Sequence, residues 1–174
     1  MGNFKHLLSS AVAASALMGG AMTSSAQAVD WTGFYAGVLG SVGVQVGTNF
    51  ADYHFLGVYK LVGYEWRSGD LVFGIEDMLG FEQDYNFGAP FSNYFWWQKT
   101  GRLGVLVSDD LLLYGTAGIG VVIDGAVWFG IAGAGAEFAV SENLSLRGQY
   151  QAEFRLSGSG AYQAVKFGPV WHFN

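Results

Sequence analysis

The chain of 174 residues contains no cysteine, only two prolines, and few charged side chains, which make up 13% of it. Without cysteine there are no disulfides and no thiolate chemistry, so stability must come from hydrogen-bonded ladders and packing. The two prolines, Pro90 and Pro169, leave nearly every backbone N–H free to join a ladder. Charge is scarce and lopsided, with 14 acidic against 8 basic residues. That balance, and the lack of a basic patch, excludes nucleic acid as a partner. Beyond the first thirty residues Gly and charged residues interrupt every apolar stretch, so no segment reaches the about 20 apolar residues of a membrane-spanning helix.

Glycine (27) and aromatic residues (17%) are abundant, a mixture that favours many strands joined by tight turns over a helical bundle. Lys5 and His6 precede an apolar run of small residues, Leu7 to Met22, and Ala26-Gln27-Ala28 supplies a small-x-small cleavage pattern. Residues 1–28 therefore read as a secretory signal peptide, and 29–174 as one mature barrel domain. Loss of Lys5 takes the formal charge from −6 to −7.

From Leu144 to Arg155 apolar or small and polar residues alternate without a miss, which is a strand with one dry face. The mature chain falls into eight such segments, predicted at 31–42, 56–66, 71–82, 94–107, 111–123, 127–140, 144–155 and 161–173. Each is about the length that a tilted strand needs to cross a bilayer. Short polar turns at Arg67–Asp70, Ser108–Asp110 and Ser141–Asn143 fall on one side. On the other lie two longer connections, 43–55 and 83–93, the Asp124-Gly125 hairpin and the Ser157–Gly160 loop. The pattern predicts an all-β, eight-stranded, antiparallel up-and-down transmembrane β-barrel, with both termini at the periplasmic end.

Parity then divides the strands into a wall and a lumen. Glu65, Glu76, Arg102, Glu137, Arg147, Glu153 and Lys166 share the polar parity and are predicted to form a lumenal ion-pair network, because an unpaired buried charge is costly. An eight-stranded barrel is just wide enough to be filled by its own side chains, so an open diffusion pore is not expected. Trp31, Trp66 and Trp171 at the periplasmic strand ends, and Trp96, Trp97 and Trp128 at the outer ends, are predicted as two aromatic girdles.

Catalytic, metal and cofactor sites find no support. His54 and His172 are the two histidines of the mature chain; His54 has Asp52 nearby, and His172 is read as having no serine beside it. Scattered carboxylates lack metal-ligand spacing, and Gly118-Ile119-Gly120 lacks the strand-to-helix setting of a phosphate loop. The chain is thus expected not to be an enzyme and to carry no cofactor.

Four sets of residues stand out along the mature chain: Trp31-Thr32-Gly33-Phe34-Tyr35-Ala36-Gly37, Gly63-Tyr64-Glu65-Trp66 with Phe73-Gly74-Ile75-Glu76, Arg102-Leu103-Gly104 with Leu113-Tyr114-Gly115-Thr116-Ala117-Gly118, and Gly133-Ala134-Gly135-Ala136-Glu137-Phe138. In their order and spacing they resemble the small outer-membrane β-barrel family that includes the OmpA-like transmembrane domain and the short surface porins of α-proteobacteria. The resemblance implies a barrel in the outer membrane of a Gram-negative bacterium, surrounded by lipid and lipopolysaccharide. It also implies insertion by the outer-membrane assembly machinery, which would read Phe167, Trp171 and Phe173, together with Val165, in the last strand. Pro169 in mid-strand and Asn174 after the terminal Phe173 depart from the family pattern. The resemblance is to the barrel part alone, so neither a peptidoglycan-binding domain nor wall anchoring is expected. A homo-oligomer is possible but not indicated.

The role expected is structural or surface-interactive, with at most a narrow porin-like path. The alternative is a surface ligand-binding protein, for haem or adhesion, acting through the extracellular loops around Phe50, Tyr53, His54, Tyr85 and Phe87.

Overall fold

The computed structural model describes residues 29–46, 54–85, 92–158 and 160–173. The proposed signal peptide and the loop residues Phe50, Asp52, Tyr53 and Phe87 lie outside these. Eight strands follow in chain order: β1 (Gly33–Val46), β2 (His54–Ser68), β3 (Leu71–Tyr85), β4 (Asn93–Ser108), β5 (Leu111–Val122), β6 (Val127–Ser141), β7 (Leu144–Arg155) and β8 (Ala161–Phe173). Each pairs antiparallel with its neighbours in sequence, and β1 pairs with β8, which closes the barrel.

The alternation read in the sequence is the alternation of burial. On β4, Trp96, Gln98, Thr100, Arg102, Gly104 and Leu106 are buried, while Phe95, Leu103, Val105 and Val107 are exposed. The large exposed side chains are apolar around the whole circumference, among them Phe34, Leu56, Ile75, Leu79, Leu113, Phe154 and Phe167. A protein that exposes so much contiguous apolar surface and turns most of its strand charges inward has lipid, not water, as its outer solvent.

The three short turns share one device. The carbonyl of Asp70 accepts from Leu106 N at 2.8 Å, that of Asp110 from Ala139 N at 2.8 Å, and that of Asn143 from His172 N at 2.9 Å. Each turn thereby supplies an acceptor to the second strand along, in two cases beside a register shift, at Leu106/Ser108 and Ala139/Ser141. Pro169 interrupts the seam between β1 and β8. Gly37 pairs with Val170 and Gly40 with Phe167, but Val38 and Leu39, opposite Pro169 and Gly168, fall outside the ladder. The register is the same on both sides of the gap, so one missing donor loosens the seam without shifting it.

Candidate functional site

The functional candidate is the lumen, which is filled in layers. Its charged layer brings Glu65, Glu76, Arg102, Glu137 and Arg147 together from five strands. Arg102 donates from Nη1 to Glu65 Oε2 (3.3 Å) and from Nη2 to Glu137 Oε2 (2.9 Å). Arg147 donates from Nε to the same Glu137 oxygen (2.8 Å) and from Nη1 to Glu76 Oε2. The other oxygen of Glu137 accepts from Ser145 Oγ at 2.5 Å and lies 3.1 Å from His172 Nε2. All of these side chains are buried, and the desolvation of their charges is offset by shared pairing, in which Glu137 and Glu76 each hold several partners and Glu65 is held by Arg102.

Tyrosine rings enclose the guanidiniums. Arg102 Cζ sits 4.0 Å from the Tyr114 ring centroid, and Arg147 Cζ sits 5.2 Å from that of Tyr35. The Tyr35 hydroxyl donates to Glu76 Oε2 at 3.0 Å and that of Tyr114 to Gln149 Oε1 at 2.8 Å.

A second polar layer lies toward the outer end. Lys166 Nζ donates to Gln98 Oε1 (3.1 Å) and Gln151 Oε1 (3.2 Å), lies 3.6 Å from Glu153 Oε1 and sits 3.8 Å from the Tyr59 ring centroid. Gln98 and Gln151 each donate to Glu153 Oε1 at 2.9 Å, and Tyr59 donates to Glu82 Oε1 at 2.5 Å. All seven charged residues singled out from parity therefore lie in these two layers.

Sequence reasoning missed Glu82, Tyr35, Tyr59, Tyr114, Ser145 and the contacts of His172. Parity was a sufficient signal for Glu82, which shares the even numbering of Glu76 on β3. The tyrosines had a subtler one, since each is paired across the ladder with a glycine: Tyr35 with Gly63, Tyr59 with Gly80, Tyr114 with Gly135. A Cβ at any of the three glycines would overlap the tyrosine ring, so the missing side chain is what lets the ring lie flat across the neighbouring strand.

The aromatic residues divide differently from the expectation. Trp66, Trp128 and Trp171 stand on the outer face at 40%, 43% and 42% exposure, and Trp97 is half-buried there. Trp31 and Trp96 do not belong to girdles. Trp31 is fully buried; it precedes β1, turns under the barrel, donates from Nε1 to Asp109 O (3.1 Å) and packs with Val29, Val72, Leu106 and Leu112. Trp96 has the inward parity of Gln98 and packs on Phe129, with ring centroids 4.9 Å apart, and on Tyr162. A wide aromatic residue at each end of a narrow barrel fills the lumen, where packing outweighs the interfacial preference. Phe167, Trp171 and Phe173 face outward on β8.

His172 does have a serine beside it, because strand pairing brings Ser145 Oγ within 3.0 Å of Nε2, and Glu65 Oε1 lies 3.7 Å from Nδ1. These are the residue types of a nucleophile, a base and an orienting acid. The serine is fully buried, however, and its hydroxyl also reaches Glu137, so it is built into the charged layer rather than presented to a substrate. His54 is exposed at the outer start of β2.

No family model matches the chain. In an alignment of 134 residues that covers 70% of this chain, it is 33% identical to a 22 kDa outer membrane protein of Rhizobium leguminosarum bv. viciae, of whose length it spans 63%. Among solved structures it is similar to Ail, the attachment invasion locus protein of Yersinia pestis, with a TM-score of 0.57, 16% identity and coverage of 82% of this chain and 99% of that one. It is also similar to the outer membrane enzyme PagL, with a TM-score of 0.56, 14% identity and coverage of 76% and 97%. At such identities these two share the fold alone, and the fold is used by an enzyme as well. A closed eight-stranded wall, apolar outside and charged within, together with the curated relative, places the chain: it is a small outer-membrane β-barrel similar to that relative and resides in the outer membrane of a Gram-negative bacterium.

Proposed function

We propose that this barrel is a non-catalytic, non-conducting envelope protein, exported after cleavage behind Ala28, whose role is structural and surface-interactive. The observation that carries the reading is the filled lumen. Ion pairs and hydrogen-bonded glutamines bridge six strands, and Trp31 and Trp96 with Phe129 close the two ends. Planar bilayers with the refolded protein test it. No stepwise conductance is expected, and ohmic steps from the wild-type protein would overturn the closed-lumen reading.

Phe167, Trp171 and Phe173 on β8 are the residues that the assembly machinery would engage. Phe173→Ala should lower the folded fraction in cells while leaving refolding into detergent intact. Equal loss in both settings would mean that the residue only stabilises the barrel.

A second reading, ligand binding at the surface, is favoured by a cavity of about 230 Å³ at the outer mouth. Phe55, Trp96, Phe129 and Tyr162 line it together with Glu82, Asp84 and Arg155, and the buried Trp96 indole N–H has no partner among the described residues. The cavity is smaller than the about 300–1,000 Å³ of drug-sized sites, which suits a small polar molecule better than an enclosed haem. Calorimetric titration with glycine betaine, which carries both charges, tests it; Trp96→Phe and Glu82→Gln should each weaken any heat seen, and absence of binding at millimolar ligand would remove support for this ligand class.

A further inference from the structure

The outer wall carries a charged cluster where lipid is the expected neighbour. Asp77 on β3 and Lys99 on β4 are opposite each other in the ladder, both face outward, and Lys99 Nζ lies 3.1 Å from Asp77 Oδ2, with 52% and 38% of the Lys and Asp side chains exposed. Lys60 on β2 is exposed on the same wall, level with Leu79. Asp77 stands midway between the outward Phe73 and Phe81, four residues from each. That is about 13 Å along the strand, or about 10 Å along the normal at barrel tilt. The pair therefore sits deep in the apolar belt, and its carboxylate would repel rather than bind lipid phosphates.

A second observation lies one outward position along β4. Gly101, Ala117, Ala132 and Ala152 form a continuous rung across β4, β5, β6 and β7, with Gly115 and Ala134 in the next. The inward glycines are small because a neighbour's ring or backbone occupies their space. Gly101 and Gly115 have no such reason, because a Cβ there would meet nothing nearer than 3.9 Å and 3.8 Å. The opposite wall, on β1 and β8, carries Phe34, Val38, Val42, Val165 and Phe167, and its one outward glycine there, Gly40, has the Phe167 ring 3.8 Å from where a Cβ would stand. A smooth patch beside a polar pair is the composition by which protein surfaces associate in lipid, where small residues allow close approach and polar groups hold the contact.

We propose that the chain self-associates in the membrane as a dimer through the wall β2 to β5, about a two-fold axis along the membrane normal between β3 and β4. Copies inserted in the same orientation meet at equal heights, so that axis sets Asp77 against the partner's Lys99, and Lys99 against the partner's Asp77. The four charges then alternate in sign and leave the lipid together. The flat rung of Gly101 and Ala117 gives the partner wall room to approach.

The absence of cysteine makes the test direct. Gly101→Cys in the full chain, treated in native outer membranes with a short bis-maleimide, should give a product of twice the monomer mass, and Val38→Cys on the opposite wall should give several-fold less. Lys99→Asp added to Gly101→Cys should reduce the product several-fold, and Asp77→Lys added to that should restore it. Heat-dependent gel mobility confirms that each variant is folded; should Lys99→Asp fail this check, the comparison of Gly101→Cys with Val38→Cys decides alone. Equal cross-linking from both walls, absence of product at position 101, or a product of another mass would overturn the proposal.

Discussion

Glu137 is the hub of the charged layer, and Glu137→Gln is the most informative single change to the barrel. The carboxylate holds Arg102 and Arg147 through one oxygen and Ser145 and His172 through the other. Glutamine keeps the shape and one acceptor but removes the charge that offsets two buried guanidiniums. Glu65 and Glu76 would remain as their anionic partners. Breaking a buried pair by removing one partner costs about 3–5 kcal/mol. The residual acceptor and the two other carboxylates place this variant toward the lower end of that range. With a urea m-value of about 2 kcal/mol/M, a cost near 3 kcal/mol lowers the unfolding midpoint by roughly 1.5 M. Tryptophan fluorescence in lipid vesicles, checked against heat-dependent gel mobility, reads that shift. The second arm is Glu137→Gln combined with Arg147→Met, which removes the orphaned charge as well. If the single variant is destabilised by an unpaired cation, the double variant must recover part of the loss. A double variant as unstable as the sum of the two single variants would refute the argument, since it would mean that the residues contribute through packing and not as a charge pair.

Three further outcomes follow from the same geometry. Gly118→Ala should fail to fold, because its Cβ would overlap the Lys99 backbone carbonyl, whereas Gly148→Ala, with nothing within 4 Å, should shift stability by less than about 0.5 kcal/mol; the heat-shifted folded band on a gel separates the two. Trp31→Ala should cost about 3–5 kcal/mol and admit a small aqueous quencher to the lumen from the periplasmic end. An unchanged unfolding midpoint would show that the residue is not a plug. Asp77→Leu with Lys99→Leu should raise the midpoint of the isolated barrel in lipid, since a lysine facing lipid near the midplane costs about 2–4 kcal/mol and an aspartate less, while abolishing the cross-link at position 101. A lowered midpoint would count against an apolar surround for the pair.

Much of the barrel was legible in the sequence because one rule, strict alternation between lipid and lumen, governs every strand. The predicted bounds of β7 and β8 coincide with the observed ones, and the others differ by a few residues at their ends, mostly by extension at the outer mouth. The failures occur where alternation does not apply or was not followed through. Trp31 precedes the first strand, so parity says nothing about it, and chain direction alone carries it under the barrel. Trp96 obeys parity: its numbering beside Gln98 turns it inward, and this outweighs the preference of an indole for the interface. Ser145 and His172 stand 27 residues apart on neighbouring strands, and only the register of β7 with β8 brings them into contact. Register was the quantity the sequence carried least visibly.

The glycines show how inside and outside are encoded by one residue type with opposite meanings. At Gly63, Gly80 and Gly135 an absent Cβ is filled by a tyrosine from the next strand, and the hydroxyls of those tyrosines reach Glu76, Glu82 and Gln149. Substituting such a glycine displaces the ring, and with it a hydrogen bond of the polar layers and the face on which Arg102, Arg147 or Lys166 rests. These inward glycines therefore belong to the charge network as fully as the acids and bases do. At Gly101 and Gly115 nothing in the barrel occupies the space, so smallness there has no cause within one copy. A substitution at Gly63, Gly80 or Gly135 should accordingly be read out in folding, and one at Gly101 or Gly115 in association, because the first removes space that the chain itself fills and the second removes space that only another surface can use.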